Sequence, residues 1–341
     1  MSRILFRQDH LSKVTGVALS DGRKVVLKER PWSTRYEACA EVQRAVYDGG
    51  FPCSRLLVGP VRIDETAVTI EEYSVAGSGQ SESFAPSGNA SGSAFFAHLC
   101  LTPSVDEISD VTPPLWLGWD HEEDGLWPQA DDGPEDLNSI AAPDWLTAAA
   151  QHVREVLLGA ADRIVVGHGD WEAQNVIWEG ENLAIVHDWD SIAALAEPAL
   201  VGAAAGVFGL NGCEPGWATL AGSQQFLAEY LRRREIASPE IKPELRAPWT
   251  DADTRVFWAA GLWVPLYNAQ KAIARGQFEP YADRVRARVE ERLPLTRRGV
   301  CQPPAATPNP REHSERLASC ATQPYNGETA AESARAERDS R

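Results

Sequence analysis

Asp170, Asn175 and Asp188 fall within one stretch, HGDWEAQNVIWEGENLAIVHDWDS, whose residue types suit phosphoryl transfer. Moving a phosphoryl group from a nucleotide to a hydroxyl needs a carboxylate to orient the acceptor and take its proton. It also needs hard oxygen ligands to hold Mg2+ on the phosphates and a lysine to steady the donor. Asp170 closes Gly167-His168-Gly169-Asp170, a turn composition directly after an apolar, strand-like run. Five positions on, Asn175 precedes the apolar run Val176-Ile177-Trp178. After the turn Glu179-Gly180-Glu181-Asn182, the run LAIVH returns as a second strand and delivers Asp188. Such a hairpin gathers two carboxylates and one amide at one edge, with Asp170 toward an acceptor, the Asn175 carbonyl toward a metal and Asp188 beside them.

The rest of the chain must supply the frame. ILFRQ, VTGVALS and KVVLKE read as strands, and Asp21-Gly22 between the last two is a strong hairpin signal. The spacing of Ala38, Val42, Ala45 and Val46 predicts an amphipathic helix over residues 36–47, stopped by Asp48-Gly49-Gly50. RLLVGPVRI and AVTIEEY add further strands, giving a small sheet with one helix against it. Residues 74–93 are rich in Ser and Gly, as a hinge followed by a loop would be. A short helix is expected over 93–101. Residues 106–138, rich in Trp and Asp, show no periodicity and read as a functional loop or a disordered insert. Asp144 is a candidate cap for a helix to about residue 161, RIVVG for a strand, and later helices are expected at 217–234, 253–275 and 280–292. Beyond Pro294 the chain turns to Pro, Ala, Ser, Glu and Arg and cannot bury enough surface to offset its ordering entropy. The expected division is therefore 1–75, a nucleotide-binding lobe, 76–295, a catalytic and substrate-binding lobe, and 296–341, a disordered tail.

HGDWEAQN, followed by a turn, a strand and HDWD, resembles the catalytic loop and metal-binding segment of the aminoglycoside phosphotransferase and choline kinase superfamily, relatives of the protein kinases. The resemblance spans residues 4–295 in element order, with about twenty-five residues carrying diagnostic identity. It implies an α+β, bilobal, protein-kinase-like fold: a small antiparallel N-terminal lobe with one helix and a larger, mainly helical lobe bearing a catalytic hairpin. It further implies that Asp170 is the catalytic base and that Asn175 and Asp188 bind Mg2+. By the same resemblance Lys28 in VVLKE contacts the nucleotide phosphates, and its helix partner is Glu37 or Glu41, one turn apart on one face, with Glu37 favoured. Backbone groups near Glu72 would meet adenine. One departure is plain: Asp9-His10-Leu11-Ser12-Lys13, where the phosphate loop would lie, lacks the usual glycines, and Ser12 would supply a hydroxyl instead. The implied co-substrate is ATP, with GTP open, and the acceptor a small hydroxylated molecule such as an aminoglycoside or amino alcohol.

Each residue also has a plainer interpretation. His-Gly-Asp is ordinary turn chemistry, and Lys28 taken alone is a surface lysine. His168 is expected to pack and hold the loop, and Asp190 to support Asp188. Asp120, Glu122, Glu123, Asp124, Asp131, Asp132, Glu135 and Asp136 either receive a cationic acceptor or form a solvated loop. Trp116, Trp119 and Trp127 either stack on a ligand or pack on the larger lobe. A kinase-like binding protein without catalysis is an alternative, motivated by the glycine-poor phosphate loop. Asp188-Trp189-Asp190 as the DxD site of a sugar-nucleotide transferase lacks the parallel α/β domain such a site needs ahead of it.

A chain of 341 residues with 43% hydrophobic and 24% charged residues is long enough for two lobes around a cleft. Its net charge of -17 argues against binding a nucleic-acid backbone, which requires clustered Lys and Arg, and would suit cationic small molecules. Six cysteines without a CxxC pair suggest neither a zinc site nor a disulfide framework. Without a signal-peptide core or a long apolar run, the expected location is the cytoplasm and no membrane partner is expected.

Overall fold

A computed structural model of the chain describes residues 2–9, 12–74, 87–160, 162–209, 217–238 and 240–298. The N-terminal lobe opens with strands β1 (Arg3–Asp9), β2 (Lys13–Ala18) and β3 (Lys24–Pro31), then helix α1 (Arg35–Asp48), then β4 (Leu56–Ile63) and β5 (Thr66–Glu72). The strands form one antiparallel sheet in the order β1-β2-β3-β5-β4. Gly22 at φ 89° completes the expected turn between β2 and β3, a conformation that glycine adopts without steric cost. Ala38, Cys39, Val42 and Val46 form the buried stripe of α1, as the spacing of apolar residues requires.

The larger lobe begins with α2 (Gly88–Leu101), which starts five residues earlier than expected. Ser87 caps it, its hydroxyl accepting from the Ala90 N–H at 3.1 Å. The helix continues through glycines that read in the sequence as linker. A Cβ at Gly88 would stand 2.2 Å from the Gly222 carbonyl oxygen, and one at Gly92 would stand 2.3 Å from that of Phe226. These glycines let two helices touch backbone to backbone. The part of the expected hinge at 75–86 lies outside the described residues, as do His10 and Leu11 of the expected phosphate loop.

Residues 105–138 contain two single 3-10 turns and no longer regular element, but the stretch is packed rather than loose. Leu117, Trp119, Trp127 and Leu137 are buried. Helix α3 (Asp144–Leu158) follows, with Asp144 as its first residue and Pro143 in the cap position expected of Asp144. Then come β6 (Ile164–His168), the hairpin of β7 (Val176–Glu179) and β8 (Asn182–Val186), and β9 (Ile192–Ala196), which pairs with β6. Helix α4 (Glu197–Val207) comes next, unanticipated because every one of its residues is buried and its sequence has no polar face to reveal a period. Four more helices complete the lobe: α5 (Leu220–Ile236), α6 (Asp251–Ala274), α7 (Ala282–Arg292) and α8 (Leu295–Arg298). The core lies where α6 packs on α4 and α3, and where α2 packs on α5. The expected tail lies outside the described residues beyond Arg298. Its first residues are still ordered, for Thr296 is buried and its hydroxyl is 2.8 Å from His152 Nε2.

Candidate active site

The β7–β8 hairpin fixes the relation between Asn175 and Asp188. Val176 faces Val186 in the ladder, and the His187 N–H donates to the Asn175 carbonyl at 2.7 Å, so Asp188 leaves the hairpin beside Asn175. Asp188 sits at φ 60°, ψ 50°, in the left-handed region that Asp tolerates better than most residues. What holds it there is the residue after it. Trp189 is buried, its indole N–H donates to the Val186 carbonyl at 3.0 Å, and its ring stands edge-on to Phe51 and His168. Asp188 and Asp190 consequently have different surroundings. The Asp188 side chain is 41% exposed and its Oδ1 is 3.3 Å from Lys28 Nζ, while Asp190 is more enclosed and pairs with Arg30 at 2.7 Å.

Asp170 and Asn175 are locked together. Asn175 Nδ2 donates to the Asp170 carboxylate at 2.7 Å and to the Asp170 carbonyl at 3.1 Å. With the amide nitrogen turned that way, the amide oxygen of the buried Asn175 is left to face other ligands. Burial, then the charges of Glu172 and Asp188, raise the Asp170 carboxyl well above its ordinary range, against the Asn175 hydrogen bond. A carboxylate with raised proton affinity is suited to taking a proton from a hydroxyl. Glu172 is itself pushed up to about 6 by burial, with Lys271 opposing.

Two neutral imidazoles form the platform under this loop. His168 Nδ1 accepts the Asp170 N–H at 3.1 Å, and its Nε2 lies 2.9 Å from the His187 carbonyl, to which it donates. The His168 N–H in turn donates to His98 Nε2 at 3.0 Å, and His98 Nδ1 donates to the Phe95 carbonyl at 2.9 Å. Burial lowers both side chains, His98 to about 3. His168 thus holds the loop, as expected of it. His98 was not legible beforehand, because nothing in the sequence of α2 connects it with a motif seventy residues away.

Lys28 is buried on β3 and reaches two carboxylates, Asp188 at 3.3 Å and Glu71 at 3.5 Å. Burial alone would favour the neutral amine, but Glu71, Asp190 and Asp188 outweigh it and keep the ammonium charged. The expected pairing with α1 is not what the structure holds: Glu37 and Glu41 are exposed, and the ion pairs of Lys28 are with Glu71 and Asp188. Helix α1 meets the catalytic segment instead through Arg35, whose guanidinium donates to the carbonyls of Asp190 at 2.5 Å and Ile192 at 2.8 Å. Ser12 lies in the short connection between β1 and β2, directly before Lys13, which pairs with Asp9. The Glu72 N–H is already bonded to the Arg55 carbonyl at 2.9 Å, so an adenine contact there would have to use another group of the segment.

The acidic stretch divides. Asp131 and Asp132 bind Lys271, at 2.5 and 3.1 Å, and Asp132 and Glu135 bind Arg275, at 2.7 and 3.1 Å. Asp120, Glu122, Glu123 and Asp124 remain exposed. Trp119 and Trp127 pack on Trp263, and Trp116 donates to the Gly169 carbonyl at 3.2 Å, which ties this stretch to the catalytic turn.

Among the described residues no group of three or more His, Cys, Asp or Glu side chains is arranged to hold a metal by itself. Asn175 and Asp188 fit a different plan, in which one carboxylate and one amide oxygen hold Mg2+ and phosphates and water fill the other positions. The donors are of the right kind: Asp188 is held below the ordinary carboxylate range, burial being outweighed by the Lys28 ammonium, and so presents an ionised oxygen on a side chain that is 41% exposed. No described helix is long and apolar enough to cross a membrane.

No family model matches the sequence, and no curated protein matches it. Solved structures do. An amicoumacin kinase in complex with AMP-PNP, Ca2+ and Ami superposes with a TM-score of 0.58 at 13% identity, over 86% of this chain and 89% of that one. A putative aminoglycoside phosphotransferase from Ralstonia eutropha gives 0.53 at 11% identity, over 87% and 93%. A thermostable mutant of aminoglycoside phosphotransferase APH(4)-Ia, in a ternary complex with AMP-PNP and hygromycin B, gives 0.51 at 13% identity, over 88% and 94%. The chain therefore has the α+β, bilobal, protein-kinase-like fold that these phosphotransferases share.

Proposed function

We propose that this protein transfers the γ-phosphoryl group of ATP to a hydroxyl of a small acceptor of the aminoglycoside or amino-alcohol kind. The observation that carries the reading is, in a kinase-like fold, the Lys28–Asp188 ion pair and the Asn175–Asp170 hydrogen bond, linked through the hairpin in which the His187 N–H bonds the Asn175 carbonyl. The structural neighbours that hold AMP-PNP support a nucleotide donor.

In this reading the acceptor hydroxyl lies against Asp170, which takes its proton as the acceptor oxygen forms a bond to the γ-phosphorus. The bond from that phosphorus to the β,γ-bridging oxygen breaks, and the nucleoside diphosphate leaves with the bonding pair. Lys28 steadies the donor phosphates. Asn175 and Asp188 would hold Mg2+, which supplies positive charge to the phosphate oxygens. His168 and His98 keep the Asp170 backbone in place without adding charge. Most of the rate then comes from positioning and charge stabilisation. Ser12 would meet the phosphates in place of a glycine-rich loop, and the segment after Glu72 would meet the base. The lobes would be 1–75 and 76–295, working in the cytoplasm with no nucleic-acid or membrane partner.

The test is nucleoside diphosphate release from Mg-ATP and Mg-GTP with a panel of hydroxylated amines, beside thermal shift with each nucleotide. Acceptor-dependent release that EDTA abolishes is the expected result. Binding of Mg-nucleotide with no phosphorylated product from any acceptor would favour a non-catalytic binding protein, and no nucleotide binding at all would end both readings.

A further inference from the structure

We infer that Glu71, on β5, is the carboxylate that orients Lys28 toward the nucleotide phosphates in this chain, a task that no residue of α1 performs; the inference rests on the phosphotransfer reading. The register of the sheet puts Glu71 in reach. Lys28 pairs with Thr69 and Val26 pairs with Glu71, so Glu71 stands diagonally opposite Lys28 on the same face, a separation that two long side chains bridge. Lys28 Nζ and Glu71 Oε1 are 3.5 Å apart, with the two side chains 9% and 6% exposed.

A carboxylate this deeply buried is costly unless a cation meets it. Lys28 is the cation with which Glu71 forms an ion pair among the described residues. The second carboxylate on Lys28, Asp188, follows the β7–β8 hairpin of the larger lobe and is the proposed metal ligand, so Glu71 is the contact from within the sheet itself. The inner face of α1 has no acid to offer: it carries Ala38, Cys39, Val42 and Val46, while Glu37 and Glu41 point to solvent. Helix α1 and the lysine are accordingly held by separate devices. Arg35 fastens the helix to the backbone at Asp190 and Ile192, and Glu71 sets the lysine through two neighbouring strands. The position of Lys28 then does not depend on where α1 sits.

The experiment compares Glu71→Gln, Glu71→Asp, Lys28→Met and the double variant Lys28→Met/Glu71→Gln by Mg-ATP affinity, KM for ATP, KM for the acceptor, kcat and thermal melting. Glu71→Gln should weaken ATP affinity or raise its KM about tenfold or more while the KM for the acceptor moves less than twofold, and Glu71→Asp should recover part of the loss. In the Lys28→Met background the same Glu71 change should cost nothing further, a result that loss of general stability would not give. If either single variant fails to fold, the double variant, which has neither charge, supplies the folded comparison with the remaining single variant.

Unchanged ATP affinity and KM in folded Glu71→Gln, or full additivity of the two substitutions, would overturn the inference while leaving phosphotransfer standing. A tenfold loss on Glu37→Gln or Glu41→Gln would also overturn it and return the role to α1. If the wild type binds Mg-ATP but turns nothing over, the affinity cycle still decides the question. If it binds no nucleotide, the reading and the inference fall together.

Discussion

Two stretches of this chain are rich in carboxylates, and their environments differ. Around the catalytic loop, Asp170, Glu172 and Asp188 face one another with Lys28 beside Asp188, and both Asp170 and Glu172 are driven toward higher proton affinity, in Glu172 against the opposing charge of Lys271. Between residues 131 and 135, Asp131, Asp132 and Glu135 are each paired with Lys271 or Arg275 of α6, and Asp132 is held well below the ordinary range by its Arg275 hydrogen bond. Charge density in a sequence therefore does not identify a site. What identifies it is whether the fold supplies counter-charges, because an acid that is already matched has little left to offer a ligand, whereas a surplus of buried acid waits for a cation or a proton.

The comparison breaks most directly at Asp170. Asp170→Ala should lower turnover by roughly two to four orders of magnitude, the usual weight of a positioned general base, with nucleotide affinity nearly kept. Asp188→Asn should abolish the dependence of nucleotide binding on added Mg2+. Steady-state turnover and nucleotide titrations with and without EDTA measure both. Wild-type turnover in Asp170→Ala would show that the surplus acid at this site does no proton transfer.

A second test uses pH and the two imidazoles. The buried His98 has its pKa lowered to about 3, against about 6.5 in an unfolded chain, and His168 is lowered as well. At these two rings the unfolded state thus binds more protons below about pH 6.5, and stability is lost as pH falls from there, for His98 by about 1.4 kcal/mol per pH unit down to about 3 and for His168 in the same direction. Asp132 loses stability in the same direction but in a lower window: its contribution persists until the pH falls below about 3.9, its unfolded value. At pH 5 hydrogen exchange at the N–H groups of His168 and Asp170, corrected for intrinsic rates, should accelerate relative to pH 7. The N–H groups of α6 around Lys271 should not. Equal acceleration in both regions would mean that the platform is no more acid-sensitive than the ion-paired loop.

How much of this was visible in the sequence follows from the range over which each interaction acts. Asp170, Asn175 and Asp188 lie within one hairpin, so turn chemistry and strand alternation were enough to bring them together, and the structure joins Asn175 to Asp170 by hydrogen bonds and to His187 through the backbone. Glu71 was not distinguished, since a carboxylate in a strand-like run gives no sign of its diagonal partner until the β3–β5 register is known. Gly88 and Gly92 read as linker in the sequence because local propensity disfavours glycine in a helix, and the close approach of α5 that requires them is a tertiary fact. Helix α4 had no polar face, hence no period to detect. The strands, turns and amphipathic helices were legible; what depended on a distant element was not.

The smallest expected effect bears on the acidic stretch itself. Arg275 donates to both oxygens of Asp132 and also to Glu135, at a position 27% exposed, so Arg275→Ala removes a surface-leaning pair. Its loss should lower the melting temperature by only about 2–4 °C, in the range of a partly screened ion pair in a chain of this size. Turnover and the KM for a cationic acceptor should stay within twofold of wild type, because the acids released lie on a loop braced against α6 by Tyr267 and Lys271. Should the KM for a cationic acceptor fall severalfold instead, the freed Asp132 and Glu135 would be attracting substrate. The two acidic regions would then differ in degree, with Arg275 acting as a built-in competitor for the acceptor's own positive charge.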